Sequence, residues 1–103
     1  MSDSTPADLA VAFRSFTRRL SDAEGNADDA RQVAAVRQAR RHVDAAIQEA
    51  AKLLGVAAMP ELIARKIDQT AADRWSPEAL ATLRRIVGEA AGELRTAERS
   101  VEE

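Results

Sequence analysis

The sequence predicts an all-α fold: an antiparallel bundle of about four helices, two short and two long, with coiled-coil-like packing. Two observations predict this fold. Strong helix start signals stand at Thr5-Pro6 and Ser76-Pro77, where a hydroxyl N-cap precedes proline at the first helical position. The last quarter of the chain also carries an unbroken apolar heptad repeat, formed by Leu80, Leu83, Val87, Ala90, Leu94, Ala97 and Val101. At 103 residues the chain predicts a single domain.

The first helix is predicted over residues 6–20. Thr5 is its expected N-cap, and Asp8 in the first turn complements the helix dipole. Its predicted buried side has apolar residues at helical spacing, namely Leu9, Phe13, Phe16 and Leu20. We expect a polar turn over residues 21–25 to follow.

The other three helices are predicted over residues 27–54, 60–73 and 77–101. Asn26 is expected to cap the second helix, and Gly55 to end it in the left-handed conformation. A proline opens each of the last two helices. At 1.5 Å per residue, the second and fourth helices should each be about 40 Å long.

Composition excludes several classes of protein. The net charge of -2 and the pI near 5.5 argue against a whole surface built to attract nucleic acid or anionic lipid. Because the chain has no cysteine and one histidine, we expect no disulfide, no metal site and no cofactor. The first residues lack a signal-peptide pattern, and the longest apolar run, residues 53–59, is too short to span a bilayer. We therefore expect a cytoplasmic protein.

The unequal helix lengths predict self-association. Two short helices would leave parts of the long apolar stripes uncovered, and large exposed apolar patches are rare on monomers. We therefore expect a homodimer or higher oligomer; the alternative is that the short helices lie end to end along the long pair. The predicted self-association seam consists of Leu80, Leu83, Val87, Leu94 and Val101 on the fourth helix and Val36, Arg40, Val43 and Ile47 on the second.

Arg40 is the one polar residue within the apolar arc of the second helix. Burying an arginine without a partner is costly. We expect it to pair with a carboxylate, Asp44 being the nearest along the helix, or to extend its guanidinium into water. A charge that sets the register of an interface is a further alternative.

The face of the fourth helix opposite its apolar stripe carries two glycines flanked by arginines: Gly88 and Gly92, with Arg84, Arg85, Arg95 and Arg99. A glycine in an exposed helix interior costs about 1 kcal/mol relative to alanine. The pair therefore suggests that another molecule approaches closely. Glu89 and Glu93 border this strip and would repel phosphate, which favours a protein partner. The alternative is a solvated face on which Arg85 and Glu89 form an i,i+4 pair.

Arg37 and His42 carry a resemblance to an enzyme family. With four residues between them, they resemble the R-x4-H motif of HEPN-type ribonucleases, which are small dimeric helical bundles. The resemblance implies metal-independent RNA cleavage, with Arg37 and His42 meeting across a dimer. It covers six residues, and Gln38 stands where that family has asparagine, aspartate or histidine.

A nucleic-acid-binding surface is a further alternative. Arginines expected to face outward on the first two helices would form a basic strip if they converged across a dimer: Arg14, Arg18, Arg19, Arg31, Arg37 and Arg41. The chain has no aromatic residues free to stack on bases and no basic tail, so this alternative is not favoured. The sequence favours a non-enzymatic helical interaction or regulatory module that self-associates and binds a protein partner.

Overall fold

The computed structural model describes residues 4–102 and confirms the all-α fold. Its four α-helices are α1 (Pro6–Asn26), α2 (Ala30–Leu54), α3 (Pro60–Gln69) and α4 (Pro77–Glu102). A 3-10 turn at Ala72–Arg74 precedes α4, and the described range contains no strand. No helix within that range combines the length and the hydropathy needed to cross a bilayer.

Long-range contacts show that α1 and α4 run in the same direction. The Arg84 Nε donates to the Ser4 carbonyl at 2.9 Å, next to the start of both helices. Near the other end, Arg19 of α1 pairs with Glu98 of α4 at 2.6 Å. The starts of the two helices therefore lie together, and so do their later turns, which makes α1 and α4 parallel.

The α2 helix runs antiparallel to α4, with which it forms the most extensive interface of the bundle. Gln32 at the start of α2 donates to the Ser100 carbonyl at 3.2 Å, and Glu49 near the end of α2 pairs with Arg85 at 3.1 Å. The three long helices thus run up, down and up. The short α3 packs mainly against α1 and returns the chain to the start of α4.

The α1 helix is longer than predicted. It ends at Asn26, so the residues predicted as a polar turn, 21–25, are helical. The reason is that buried Ala23 follows Leu20 by three residues and continues the apolar face of α1. Burial of that face against the bundle outweighs the weak helix propensity of the polar residues and the glycine.

Two further helix boundaries differ from their predictions. Asn26 does not cap α2; Asp29 does, and its side chain accepts from the Gln32 N–H at 2.8 Å. The α3 helix ends at Gln69 instead of residue 73, because the chain tightens into the 3-10 turn before α4. The bundle therefore has three long helices and one short one.

The residues of the predicted self-association seam lie in the core of a single chain. Leu83 and Leu94 are 0% exposed, and Val36, Val43, Ile47 and Val87 are also buried, while Leu80 and Val101 are half-buried. The lengthened α1 packs against α4, so the chain covers its own stripes. The buried part of the seam is therefore packed within one chain, while Leu80 and Val101 remain partly exposed. Self-association stays a prediction.

Arg40 lies at the edge of this core. Its guanidinium is exposed and pairs with Glu24 of α1. The expectation of a carboxylate partner is thus confirmed, but the partner comes from α1 instead of being Asp44. Within one chain, Arg40 therefore takes part in the α1–α2 contact, and its place in a seam between copies stays a prediction.

Candidate functional site

Two of the three exposed large apolar residues in the described chain stand at the junction of α2 and α3. Leu53 is 41% exposed and Met59 is 55% exposed; the third, Val11 on α1, is 63% exposed and stands apart in sequence. Single exposed apolar residues are ordinary, whereas a contiguous apolar patch marks an interaction site. The α2–α3 junction is therefore the first place to look for such a site.

A glycine cap and a proline start build this junction. Gly55 adopts the left-handed conformation (φ 71°), which glycine enters without steric cost, and its N–H donates to the Ala51 carbonyl at 2.8 Å. The chain turns again where the Met59 N–H donates to the Ala57 carbonyl at 2.7 Å. Pro60 then begins α3. These local signals hold an apolar connection at the surface.

An open depression of about 300 Å³ lies between this connection and the outer face of α3. We call it the corner groove; its lining residues are Val56, Ala57, Leu62, Arg65, Lys66 and Gln69. The four α3 residues follow the i, i+3, i+4, i+7 spacing of one helix face. Exposed Leu53 and Met59 are close in sequence to the groove residues Val56 and Ala57. We call the groove together with Leu53 and Met59 the corner surface.

The charges of α3 are divided between its two sides. Its two carboxylates, Glu61 and Asp68, both bind Arg14 of α1, at 3.1 and 2.8 Å. These hydrogen bonds raise the pKa of Arg14 above its ordinary value. Within residues 4–102, Arg65 and Lys66 form no ion pair. The acids of α3 therefore face α1, while its bases line the corner groove.

The glycines of α4 stand where the sequence placed them, on an outer face. A Cβ atom built at Gly88 or Gly92 would meet nothing within 4 Å apart from their own helix and chain neighbours. No other part of the described chain therefore requires a glycine at either position. The predicted close approach could come only from another molecule.

Two of the four arginines flanking those glycines serve the fold. Arg84 donates to the Ser4 carbonyl, and Arg85 pairs with Glu49 across the α2–α4 interface and with Glu89 along the helix. Hydrogen bonding to Glu49 raises the pKa of Arg85. Arg95 and Arg99 are exposed. The glycine strip is open, but two of the four arginines beside it, Arg84 and Arg85, already bind groups of the same chain.

The structure does not bring Arg37 and His42 together within one chain. The His42 Nε2 lies 3.8 Å from a Glu93 carboxylate oxygen and lines a small crevice between α2 and α4. Arg37 is exposed and lines a separate groove of about 350 Å³ between the end of α1 and the start of α2. The ribonuclease interpretation therefore depends on a second copy and stays a prediction.

The outward arginines do not all remain available for phosphate. Arg14 is bound by two carboxylates of α3, and Arg19 is bound by Glu98 through contacts of 2.6 and 3.0 Å. Those hydrogen bonds raise the pKa of both guanidinium groups. Arg18, Arg37 and Arg41 are exposed. The basic strip expected along α1 is thus largely neutralised by neighbouring acids.

Sequence reasoning missed the corner surface. Residues 53–59 stand out in the sequence as its longest apolar run, but residues 56–59 were interpreted as a connection between helices. The run does not show which of its side chains stay exposed. Sequence reasoning also missed Gln32, which is buried and whose side-chain oxygen accepts from the Asp28 N–H at 2.6 Å.

Within the described part of the chain, no group of three or more His, Cys, Asp or Glu side chains could hold a metal ion. No known protein family matches this chain, and no curated protein or solved structure is significantly similar to it.

Proposed function

We propose that this protein is a non-enzymatic interaction module that binds a protein partner through the corner surface. The observation that supports this proposal is the exposure of Leu53 and Met59 close in sequence to a groove that is lined in part by Val56, Ala57 and Leu62. Fully burying a side chain of this size contributes about 1.5–3 kcal/mol. Because Leu53 and Met59 are already partly covered, a partner that buries the corner surface gains about half of this energy per side chain.

The chemistry of the groove favours binding over catalysis. Its lining has no carboxylate, histidine or hydroxyl that could act as a general acid, base or nucleophile. Its one amine, on Lys66, is exposed and lacks the burial that activates a catalytic lysine. The groove is also open to solvent, whereas catalytic sites generally exclude water around the reacting groups. The groove therefore has the character of a recognition surface.

Burial of the apolar stripes within one chain implies that the partner binds a folded bundle. Because each chain buries its own apolar stripes, the partner meets a bundle that is already folded. Folding therefore does not depend on the partner, and little ordering entropy is lost on association.

The test is capture by a variant chain whose corner surface carries one added negative charge. Met59 is the N-cap residue of α3, with extended backbone angles and no side-chain cap hydrogen bond. Aspartate favours such a position, so Met59→Asp should stabilise α3 by about 0.5–1 kcal/mol while it removes apolar surface. The expected result is a higher melting temperature together with loss of a partner that the wild-type chain captures.

Two control variants make this result specific. Val11→Asp places the same charge on the remaining exposed large apolar residue and should keep the partner. Gly88→Leu with Gly92→Leu fills the open strip of α4 and should also keep it. Capture retained by Met59→Asp but lost by the glycine variant would move the interface to α4 and refute this proposal.

A further inference from the structure

The structure assigns a chemical class to the partner: the corner groove takes a short acidic helical segment, whose apolar side chains enter the groove and whose carboxylates meet Arg65 and Lys66. This inference rests on the proposed function and makes it more specific. It follows from the charge, the length and the shape of the groove.

Charge gives the first argument. Two cations line the groove and no carboxylate does, since Glu61 and Asp68 of α3 are both held by Arg14. Lys52 in the last turn of α2 adds a third exposed cation near the junction. None of these three cations forms an ion pair among the described residues. A partner with carboxylates along its edges is complementary to this surface, and one with lysines is repelled.

Length and shape give the second argument. The wall of the groove is one face of α3, which has 10 residues and is therefore about 15 Å long. Two to three turns of a partner helix match that length, with apolar side chains at the spacing of one helix face. The depression is shallow and open, so it suits the side chains of a helix laid along α3.

A second copy of this chain fits poorly as the occupant. In a two-fold symmetric dimer the same patch meets itself, so Arg65 and Lys66 of both copies would lie in one interface whose groove lining supplies no carboxylate. Like charges placed together disfavour that arrangement. The groove therefore points to a different protein.

The experiment uses three synthetic peptides of about 14 residues, a length at which an isolated helix is marginal and gains from docking. All three share one apolar helical face; their flanking positions are glutamate, glutamine or lysine. We expect affinity for the full chain to fall in the order glutamate, glutamine, lysine, and to weaken with salt. Amide shifts in NMR spectra should concentrate at residues 56–57 and 62–69.

Charge reversal at the groove supplies the matched comparison. Arg65→Glu with Lys66→Glu should weaken binding of the glutamate peptide about tenfold, since two attractive rim contacts become repulsive. Arg37→Glu with Arg41→Glu reverses two exposed arginines elsewhere and should leave that binding unchanged. Arg65→Gln with Lys66→Gln removes the two charges without reversing them and should give an intermediate loss. This milder variant replaces the charge-reversed one if the reversal disturbs α3.

Several results would overturn the inference. Equal binding of the three peptides, or binding of none, would remove the acidic preference, while the capture result with Met59→Asp would still decide the proposed function. Binding to phosphatidylserine vesicles that is lost in Arg65→Glu with Lys66→Glu, without binding of the glutamate peptide, would assign the groove to a membrane. Amide shifts confined to α4 would place the peptide on the wrong surface.

Discussion

Arg19 and Glu98 show how single side chains fix the alignment of the long helices. The two-point contact between the Arg19 guanidinium and the Glu98 carboxylate ties α1 to the last turns of α4. Hydrogen bonding to Arg19 is the main reason that the pKa of Glu98 lies below its ordinary value, and the charge of Arg19 adds to the effect. Both side chains are about one-third exposed, so solvent screens the pair.

This pair makes stability depend on pH in a defined direction. Because the pKa of Glu98 is lower in the folded chain than in the unfolded one, its contribution is fully present above the unfolded pKa and is lost as pH falls through the folded one. Glu98→Gln should therefore cost about 0.5–1 kcal/mol at pH 7 and close to nothing at the acidic end. Melting curves of both chains across acidic pH check this. A gap that widens on acidification would contradict it, and Asp44→Asn, at an exposed position on α2, is the control.

Residue-level prediction from the sequence succeeded where the signal was local. Thr5 caps α1 as expected, its side chain accepting from the Asp8 N–H. Asp8, which was expected only to complement the helix dipole, also accepts from the Thr5 N–H. The pair of Arg19 with Glu98 lies 79 positions apart and depends on how α1 aligns with α4. No local pattern encodes that alignment, so such pairs could not be predicted.

At the scale of the element, α4 was predicted best and α1 worst. The start of α4 and its buried stripe follow from the cap, the proline and the heptad spacing, all of which the structure reproduces. The end of α1 was missed because polar residues and Gly25 suggested a turn, whereas burial of Ala23 decided the outcome. Tertiary packing overrode local propensity there.

The intrachain burial of the α4 stripe leads to a stability prediction. Leu94→Ala should destabilise the bundle by about 2–5 kcal/mol, because it leaves a cavity at a fully buried site. The melting temperature should not change with protein concentration, since the stripe packs against its own chain. Thr96→Ala, on the exposed side of α4, should stay within about 0.5 kcal/mol of wild type. Melting temperatures of Leu94→Ala that rise with concentration would instead support a seam between copies.

At the scale of the whole molecule, the order of the helices creates the candidate site. The acids of α3 pair with Arg14 of α1, and its bases line the corner groove. Gly55 ends α2 and turns the chain into the apolar connection that forms the other side of the groove. The sequence showed which residues were apolar or charged. It could not show which of them stay exposed, because that depends on where α3 packs. The fold class was therefore predictable, and the corner surface was not.

The most direct test of the proposed interface is site-specific photocross-linking in cells. A photoreactive residue replaces Ala57 in the corner groove, and matched chains carry it at exposed Ala7 or at Gly88. We predict a discrete adduct with a different protein from position 57 and none from the other two positions. An adduct of twice the 11.1 kDa chain mass, or one formed only from position 88, would contradict the proposed interface.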